Sequence, residues 1–341
     1  MHAQQVLDRP TALVTGGAGF IGSHLCDQLV KNRNVICVDN FITGLEENID
    51  LLLQNPHFKF IRHDLTEPLD LASFPELDVF KVKFQGVQEV YNLACPTSPL
   101  QYNRLPLETL AANAAGTKNA LDVAFKSGAK IVHASTSAIY GEPTDGKPFT
   151  EDYWGYIDPV GPRSCYNEGK RFSESLVSSY GSTKEMQFII ARIFNTYGPR
   201  TKLNDGRMIP DMVNKAISNE PMTIYGSADD ISTFCYVSDI VDGLIKLMEY
   251  SGSGIFNLGS HEQYKLGDIA KLIMQLADVK VPIESKPAPP YLAKQGVPEI
   301  IKAKETIGWF PLISLTEGLR QTVDYFRAHH NLKPLGSVGP V

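Results

Sequence analysis

Residues 11–22 read TALVTGGAGFIG. A short apolar run, Thr11 to Thr15, meets a cluster of glycines and passes directly into the helical apolar spacing of Ile21 to Lys31. Gly16, Gly19 and Gly22 give the spacing GxxGxxG. Glycine at a strand-to-helix junction permits a tight turn, a close approach of backbone to a ligand, and close packing of helix on strand. The N–H groups opening that helix have no acceptor within it, and they lie at the positive end of its dipole, which suits a phosphate. A glycine triplet alone is weak evidence, because it can mark a simple turn. Here Asp39 closes the next strand, 17 residues beyond Gly22. An acidic side chain there accepts hydrogen bonds from the adenosine ribose and repels a 2′-phosphate, so the pattern predicts NAD rather than NADP. The cofactor set expected from this stretch is Gly16, Gly19, Phe20, Ile21, Gly22, Asp39 and the adjoining Asn40. Asp64, in the RHDL segment after the third strand, is expected to reach the adenine amino group, and the adjoining Leu65 is expected among the cofactor-binding residues.

The rest of the chain extends the same plan. Val35–Val38, Phe58–Ile61, Val87–Leu93, Lys130–Ala134 and Gln187–Arg192 read as strands. Helical stretches lie between them, near Leu107–Ser127 and Tyr166–Tyr180. Strands alternating with helices predict an α/β fold, a Rossmann-type doubly wound parallel sheet, with a smaller C-terminal substrate-binding lobe. The expected boundaries are 1–195 for the NAD-binding domain, with return segments near 234–260, then 196–330 mainly for the lobe and 331–341 for a tail. Beyond Asn195 the pattern loosens; Pro199, Pro210, Pro221 and Gly226–Ser232 read as loops, and a helix is expected at Leu266–Ala277.

Composition narrows the partners. The 341 residues carry a net charge of −6, so no broad basic surface is available for nucleic acid. No apolar run approaches the ~20 residues of a membrane span. The N-terminal MHAQQVLDRP lacks a basic start followed by an apolar core, and a cytoplasmic protein is expected. The five cysteines are scattered without CxxC spacing, which predicts reduced thiols and no metal site.

Tyr166 and Lys170 form a YxxxK pair, one turn apart on one helix face. A nearby ammonium favours tyrosinate and would lower the tyrosine pKa, so that Tyr166 can act as a general base. The strand upstream ends in Ala134-Ser135-Thr136-Ser137. A hydroxyl there can bind a substrate alcohol while Tyr166 removes its proton and hydride leaves for the nicotinamide. Lys170 is also expected to bond the nicotinamide ribose.

Together these residues resemble the extended short-chain dehydrogenase/reductase family, the NAD-dependent epimerases and dehydratases of nucleotide sugars. VTGGAGFIGSHL, VDNFITG, NLACPTSPLQY, ASTSAIYGEP, EDYWGYIDPVGPRSCYNEGKR, ARIFNTYGPR and NDGRMIPDMV are similar, within it, to the UDP-glucuronate decarboxylases, over residues from about 11 to 330. The resemblance implies a closed redox cycle. Carbon 4 of the sugar is oxidised, the resulting β-keto acid loses CO₂, and hydride returns to carbon 4, giving UDP-xylose. It assigns catalysis to Thr136, Tyr166 and Lys170, and sugar-nucleotide contacts to Ser137, Tyr102, Asn195, Arg207 and Tyr225. It also implies a homodimer built on the helices near Leu107–Ser127 and Tyr166–Tyr180.

Three positions depart from that pattern. Ala138 stands where the decarboxylases have a glutamate that assists the steps after oxidation. Ser232 and Gly296 stand where arginines are expected to reach the active site or the diphosphate. Losing such an arginine removes a charge-assisted contact worth about 1.5–3 kcal/mol unless Arg207, Lys294 or Arg163 replaces it. Two other readings therefore stay open: a 4-epimerase or 4-oxidoreductase without decarboxylation, and a non-catalytic NAD-binding regulator. Of the smaller signals, Cys95 is read as buried and inert, and Trp154 as a packing residue.

Overall fold

In the computed structural model, which describes residues 9–143, 146–294 and 296–332, seven parallel strands form one sheet. They are β1 (Thr11–Thr15), β2 (Asn34–Asp39), β3 (Phe58–Arg62), β4 (Glu89–Asn92), β5 (Lys130–Thr136), β6 (Phe188–Ile193) and β7 (Gly254–Leu258). The spatial order is β7-β6-β5-β4-β1-β2-β3, so the chain reverses direction across the sheet between β1 and β4. Ligands bind in the crevice that such a reversal opens at the carboxyl ends of the strands.

The strands are apolar on both faces because both faces are covered. Ala12 and Val14 belong to one buried cluster with Val132, Ile189 and Ala191. Leu13 belongs to a second, with Ile131 and Ile190. α1 (Phe20–Leu29) packs in the first cluster through Leu25, Cys26 and Leu29. α2 (Thr117–Ser127) and α3 (Ser164–Lys184) pack in the second through Leu121, Ala124 and Val177. The segment leading into α2 is a helix at Pro106–Ala111 joined by a π turn at Ala112–Gly116.

The six strands expected before residue 195 are present to within two residues at each end. The smaller lobe is more regular than the prolines suggested. Pro210 lies inside α4 (Met208–Ile217), in its first turn, where the missing N–H has no partner to lose. α5 (Val237–Glu249) was also not read as a helix, although Val237, Ile240, Val241, Leu244, Leu247 and Met248 are buried at helical spacing. Burying side chains of this kind contributes roughly 1.5–3 kcal/mol each. α6 (Leu266–Ala277) has the expected bounds. The expected tail overlaps α7 (Leu315–Leu332), which continues helically through Leu332, and residues 333–341 lie outside the described part. Three short ladders lie outside the sheet among the described residues: Thr196–Tyr197 beside Cys235–Tyr236, Met222–Tyr225 beside Ile283–Lys286, and Ile231–Thr233 beside Gln263–Lys265. Tyr225 and Ser232, on the last two of these, line the crevice. None of the described helices is long and apolar enough to cross a membrane.

Candidate active site

One cavity of about 900 Å³ runs along the carboxyl ends of the strands and into the smaller lobe. Each of the expected site residues lines it: Gly16, Gly19, Phe20, Ile21, Gly22, Asp39, Asn40, Asp64 and Leu65 at one end, Thr136, Ser137, Tyr166 and Lys170 in the middle, and Tyr102, Asn195, Arg207 and Tyr225 beyond. Residues from β1 to the far lobe thus meet in one space.

The dinucleotide end is tightly built. A Cβ on Gly22 would come within 2.2 Å of the Gly16 carbonyl oxygen, so the helix can only seat this close to β1 with glycine there. Asp39 is buried and accepts the N–H of Ala18 at 3.0 Å and of Phe41 at 2.8 Å, one on each oxygen. Burial raises its carboxyl above the ordinary value, against those N–H donors. Each oxygen keeps acceptor capacity toward the cavity. Asp64 accepts from the Thr66 N–H and hydroxyl and from Asn40 Nδ2. Burial works against its charge, but these bonds outweigh it and hold the carboxyl low. An N-terminal helix turn, a glycine cradle and an acidic ribose acceptor fit a dinucleotide.

Thr136, Ser137, Tyr166 and Lys170 line the middle of the cavity. Lys170 is buried and donates to the Ala134 carbonyl at 2.8 Å. Thr136 Oγ1 accepts the Ala138 N–H at 3.2 Å and also bonds the Tyr166 hydroxyl. The Tyr166 pKa is raised, not lowered as expected. Burial pushes the phenol well up, Cys95 and Tyr102 add to this, and the Thr136 bond and Arg207 work the other way without overcoming it. Tyr102 stacks on Tyr166 with ring centroids 4.9 Å apart and planes 8° apart, while its hydroxyl donates to the Tyr291 carbonyl. Cys95 is only half-buried and lines the cavity, rather than lying in the core as expected.

On the far side, Asn195 Nδ2 donates to Ser232 Oγ at 3.2 Å. Arg207 bonds Asp205 at 2.8 Å and Thr97 Oγ1 at 2.6 Å. Lys294 pairs with Asp230 at 2.9 Å, two residues from Ser232. Arg163 lines the same cavity, so all three possible substitutes for the missing arginines reach it. Gly296 does not line it. A Cβ there would meet the Phe149 ring at 2.3 Å, so no arginine fits at this position while Phe149 is packed beneath it.

The residue that sequence reading missed is Glu174. It lies at one further helical step on the face that carries Tyr166 and Lys170. It forms a buried two-pronged pair with Arg192, at 3.0 and 2.8 Å, and accepts the Ser135 hydroxyl. An arginine ending the apolar strand QFIIAR was the available signal. Trp154, expected to pack, is 91% exposed.

The sheet order, the glycine turn and the Tyr–Lys pair define a Rossmann-type dinucleotide-dependent enzyme. The chain belongs to the NAD-dependent epimerase/dehydratase family, whose model matches residues 12–259, and NAD is its cofactor. It is 43% identical over 316 residues to UDP-glucuronic acid decarboxylase 1 of Arabidopsis thaliana, covering 92% of this chain and 69% of that one. It is 40% identical over 325 residues to UDP-glucuronic acid decarboxylase 1 of Xenopus tropicalis, covering 94% and 73%. Among solved structures, the UDP-glucuronic acid 4-epimerase of Bacillus cereus, in complex with UDP-glucuronic acid and NAD, superposes with a TM-score of 0.81 at 27% identity, covering 94% and 99%.

Proposed function

We propose that this enzyme oxidises carbon 4 of UDP-glucuronate and releases UDP-xylose and CO₂. The observation that carries the reading is the convergence of Thr136, Tyr166 and Lys170 on one cavity with the dinucleotide cradle, in a chain similar to decarboxylases over 92% of its length. When bound, NAD supplies the acceptor for the carbon-4 hydride and later returns it. It would lie across Gly16–Gly22 and Asp39, with Asn40, Asp64 and Leu65 at the adenine and Lys170 at the nicotinamide ribose. Thr136 orients the 4-hydroxyl, and Tyr166 takes its proton. The ketone at carbon 4 is β to the carboxylate. The bond between carbons 5 and 6 then breaks, its electron pair passes into the enolate, and CO₂ leaves. Carbon 5 takes up a proton, and Tyr166 returns its proton to the 4-oxygen as the ketone is reduced.

The residues 196–330, together with Tyr102, Ser137 and Asn195, hold the sugar nucleotide in this reading, and the rest of residues 1–195 with return segments near 234–260 holds NAD. Asn195, Arg207 and Tyr225 contact the nucleotide, and Lys294 supplies a cation beside Ser232. A second reading rests on Ala138, which is buried beside Tyr166 with no acid at that position. A 4-epimerase would need no such acid. Incubation of the NAD-loaded protein with UDP-glucuronate, followed by product analysis, separates the two. UDP-xylose with CO₂ is expected; UDP-galacturonate without CO₂ makes it an epimerase, and no turnover of either removes the proposal.

We further propose a homodimer, supported by the exposed Leu107, Leu110 and Phe172 on the helices expected to pair. Sedimentation in solution should give twice the chain mass; a monomer would refute it. The five free cysteines suit the reducing cytoplasm, the compartment we assign.

A further inference from the structure

Thr15, Asn92 and His133 lie side by side on β1, β4 and β5, and all three are buried. Their polar side chains form one hydrogen-bonded row. The Thr15 hydroxyl oxygen takes the Leu93 N–H at 3.2 Å, so its own hydrogen goes to Asn92 Oδ1 at 2.7 Å. Asn92 then turns Nδ2 to His133 Nδ1 at 3.0 Å. With Nδ1 accepting, the ring proton is on Nε2, which donates to Ser173 Oγ at 2.8 Å. The Ser173 hydroxyl passes its hydrogen to the Lys170 carbonyl, also at 2.8 Å. The donations thus run in one direction and end on a carbonyl, which can only accept.

That direction fixes the state of the ring. A second proton, on Nδ1, would face the Asn92 amide hydrogens. Burial, and after it the Lys170 ammonium, hold the imidazole far below the ordinary histidine value, which agrees with a neutral ring. Parallel strands covered on both faces are ordinarily apolar, and a buried polar row costs desolvation unless its members are paired. This row is paired and ends at Lys170. Three consecutive residues of β5 grip one turn of α3: His133 bonds Ser173, the Ala134 carbonyl takes the Lys170 ammonium at 2.8 Å, and Ser135 donates to Glu174. The last two contacts reach side chains. The first reaches, through Ser173, the backbone that carries Lys170.

We propose that His133, with its proton on Nε2, is a positioning residue that sets Lys170 through Ser173 and ties the lysine of the Tyr–Lys pair to the strand that enters the glycine turn. Neither His133 nor Ser173 lines the cavity, so His133 acts there through Lys170. This rests on the reading of carbon-4 oxidation at Tyr166, in which the Lys170 ammonium supports the tyrosinate and bonds the nicotinamide ribose. A displaced turn at Lys170 slows proton and hydride transfer and leaves the groups that hold the sugar nucleotide in place.

Two measurements on the full chain test it, with wild type, His133→Leu, Ser173→Ala and His133→Gln. The first is acetylation of the NAD-free protein by acetic anhydride, read residue by residue by mass spectrometry. Lys170 should label faster in His133→Leu and Ser173→Ala than in wild type. Lys130, held by the Leu247 and Met248 carbonyls at the start of β5, should label as before. His133→Gln, whose amide offers both an acceptor and a donor, should restore most of the protection. The second is turnover of UDP-glucuronate at saturating NAD. In the leucine and alanine variants kcat should fall by about 10- to 100-fold, the order lost when a reacting group is misplaced by about 1 Å, with KM little changed. The glutamine variant should recover most of that loss. Unchanged Lys170 labelling in both variants overturns the proposal. So does faster labelling of Lys170 and Lys130 together, which general loosening would produce. A glutamine variant no better than the leucine one, a loss confined to KM, or faster Lys170 labelling with kcat unchanged also overturns it. A wild type that does not turn over UDP-glucuronate removes the carbon-4 reading, and the labelling then decides on His133 by itself.

Discussion

Tyr166→Phe should lower turnover of the nucleotide sugar by about 10²–10⁴-fold, the range lost with a general acid–base group, while NAD binding and thermal stability change little. The phenol bonds Thr136 in the cavity, and the turn at Gly16–Gly22 and Asp39, proposed to hold NAD, makes no contact that the phenol supplies. The direction of its pKa adds a second reading of the same residue. Burial holds the proton on Tyr166 above the ordinary tyrosine value. The fraction able to accept a proton therefore grows with pH, and the oxidation of carbon 4 should accelerate through the alkaline range. Cationic charge from Lys170, Arg207 and the bound nicotinamide would shift that rise downward. Steady-state rates across pH, with cofactor binding measured in parallel, check both statements. Full activity in the phenylalanine variant would remove Tyr166 as the proton acceptor.

The second large effect is structural. Glu174 and Arg192 join α3 to β6 through two hydrogen bonds, with side chains only 10% and 8% exposed. Arg192 also donates to the Tyr140 hydroxyl and the Glu151 carbonyl, and Glu174 accepts from Ser135, the neighbour of Thr136. Removing one partner of such a pair leaves a buried charge without its counterion, a cost of about 3–5 kcal/mol. Glu174→Leu should therefore lower the melting temperature by on the order of 10 °C in a chain of this size, and should reduce turnover through the displaced Ser135–Thr136 strand end. Adding Arg192→Met should restore part of the stability, because the unpaired charge is then gone. Calorimetric melting of the two variants checks this; an unshifted single variant would show that the pair contributes little.

The end of the cavity lined by Gly16–Gly22 and Asp39 was legible because its signals are local. β1, the glycine turn and α1 are contiguous, and Asp39 is the last residue of the next strand. Tyr166 and Lys170 announce themselves by one helical step. The far side of the cavity is assembled from distant segments: Asn195 meets Ser232, Arg207 meets Thr97, and Lys294 meets Asp230 only after the smaller lobe folds over the sheet. No spacing in the chain encodes those meetings. Pro210 hid α4 because a proline reads as a breaker unless the helix start is known. Glu174 was hidden for another reason. A glutamate on a long helix is ordinary until a buried arginine is found opposite it.

The departures at 138, 232 and 296 take different physical forms. Ala138 is packed in one buried cluster with Tyr166, and its methyl group leaves no acid at that position. Ser232 is bonded to Asn195, and Lys294 pairs with Asp230, two residues earlier in the chain. Gly296 is small because Phe149 lies against it.

The central claim is a redox cycle at carbon 4 that closes within one active site. UDP-glucuronate carrying deuterium at carbon 4, given to the NAD-loaded protein with no added reductant, tests it most directly. The account predicts release of CO₂ and UDP-xylose that retains the deuterium at carbon 4. Product that has lost the label, or CO₂ release that depends on added NADH, would contradict it.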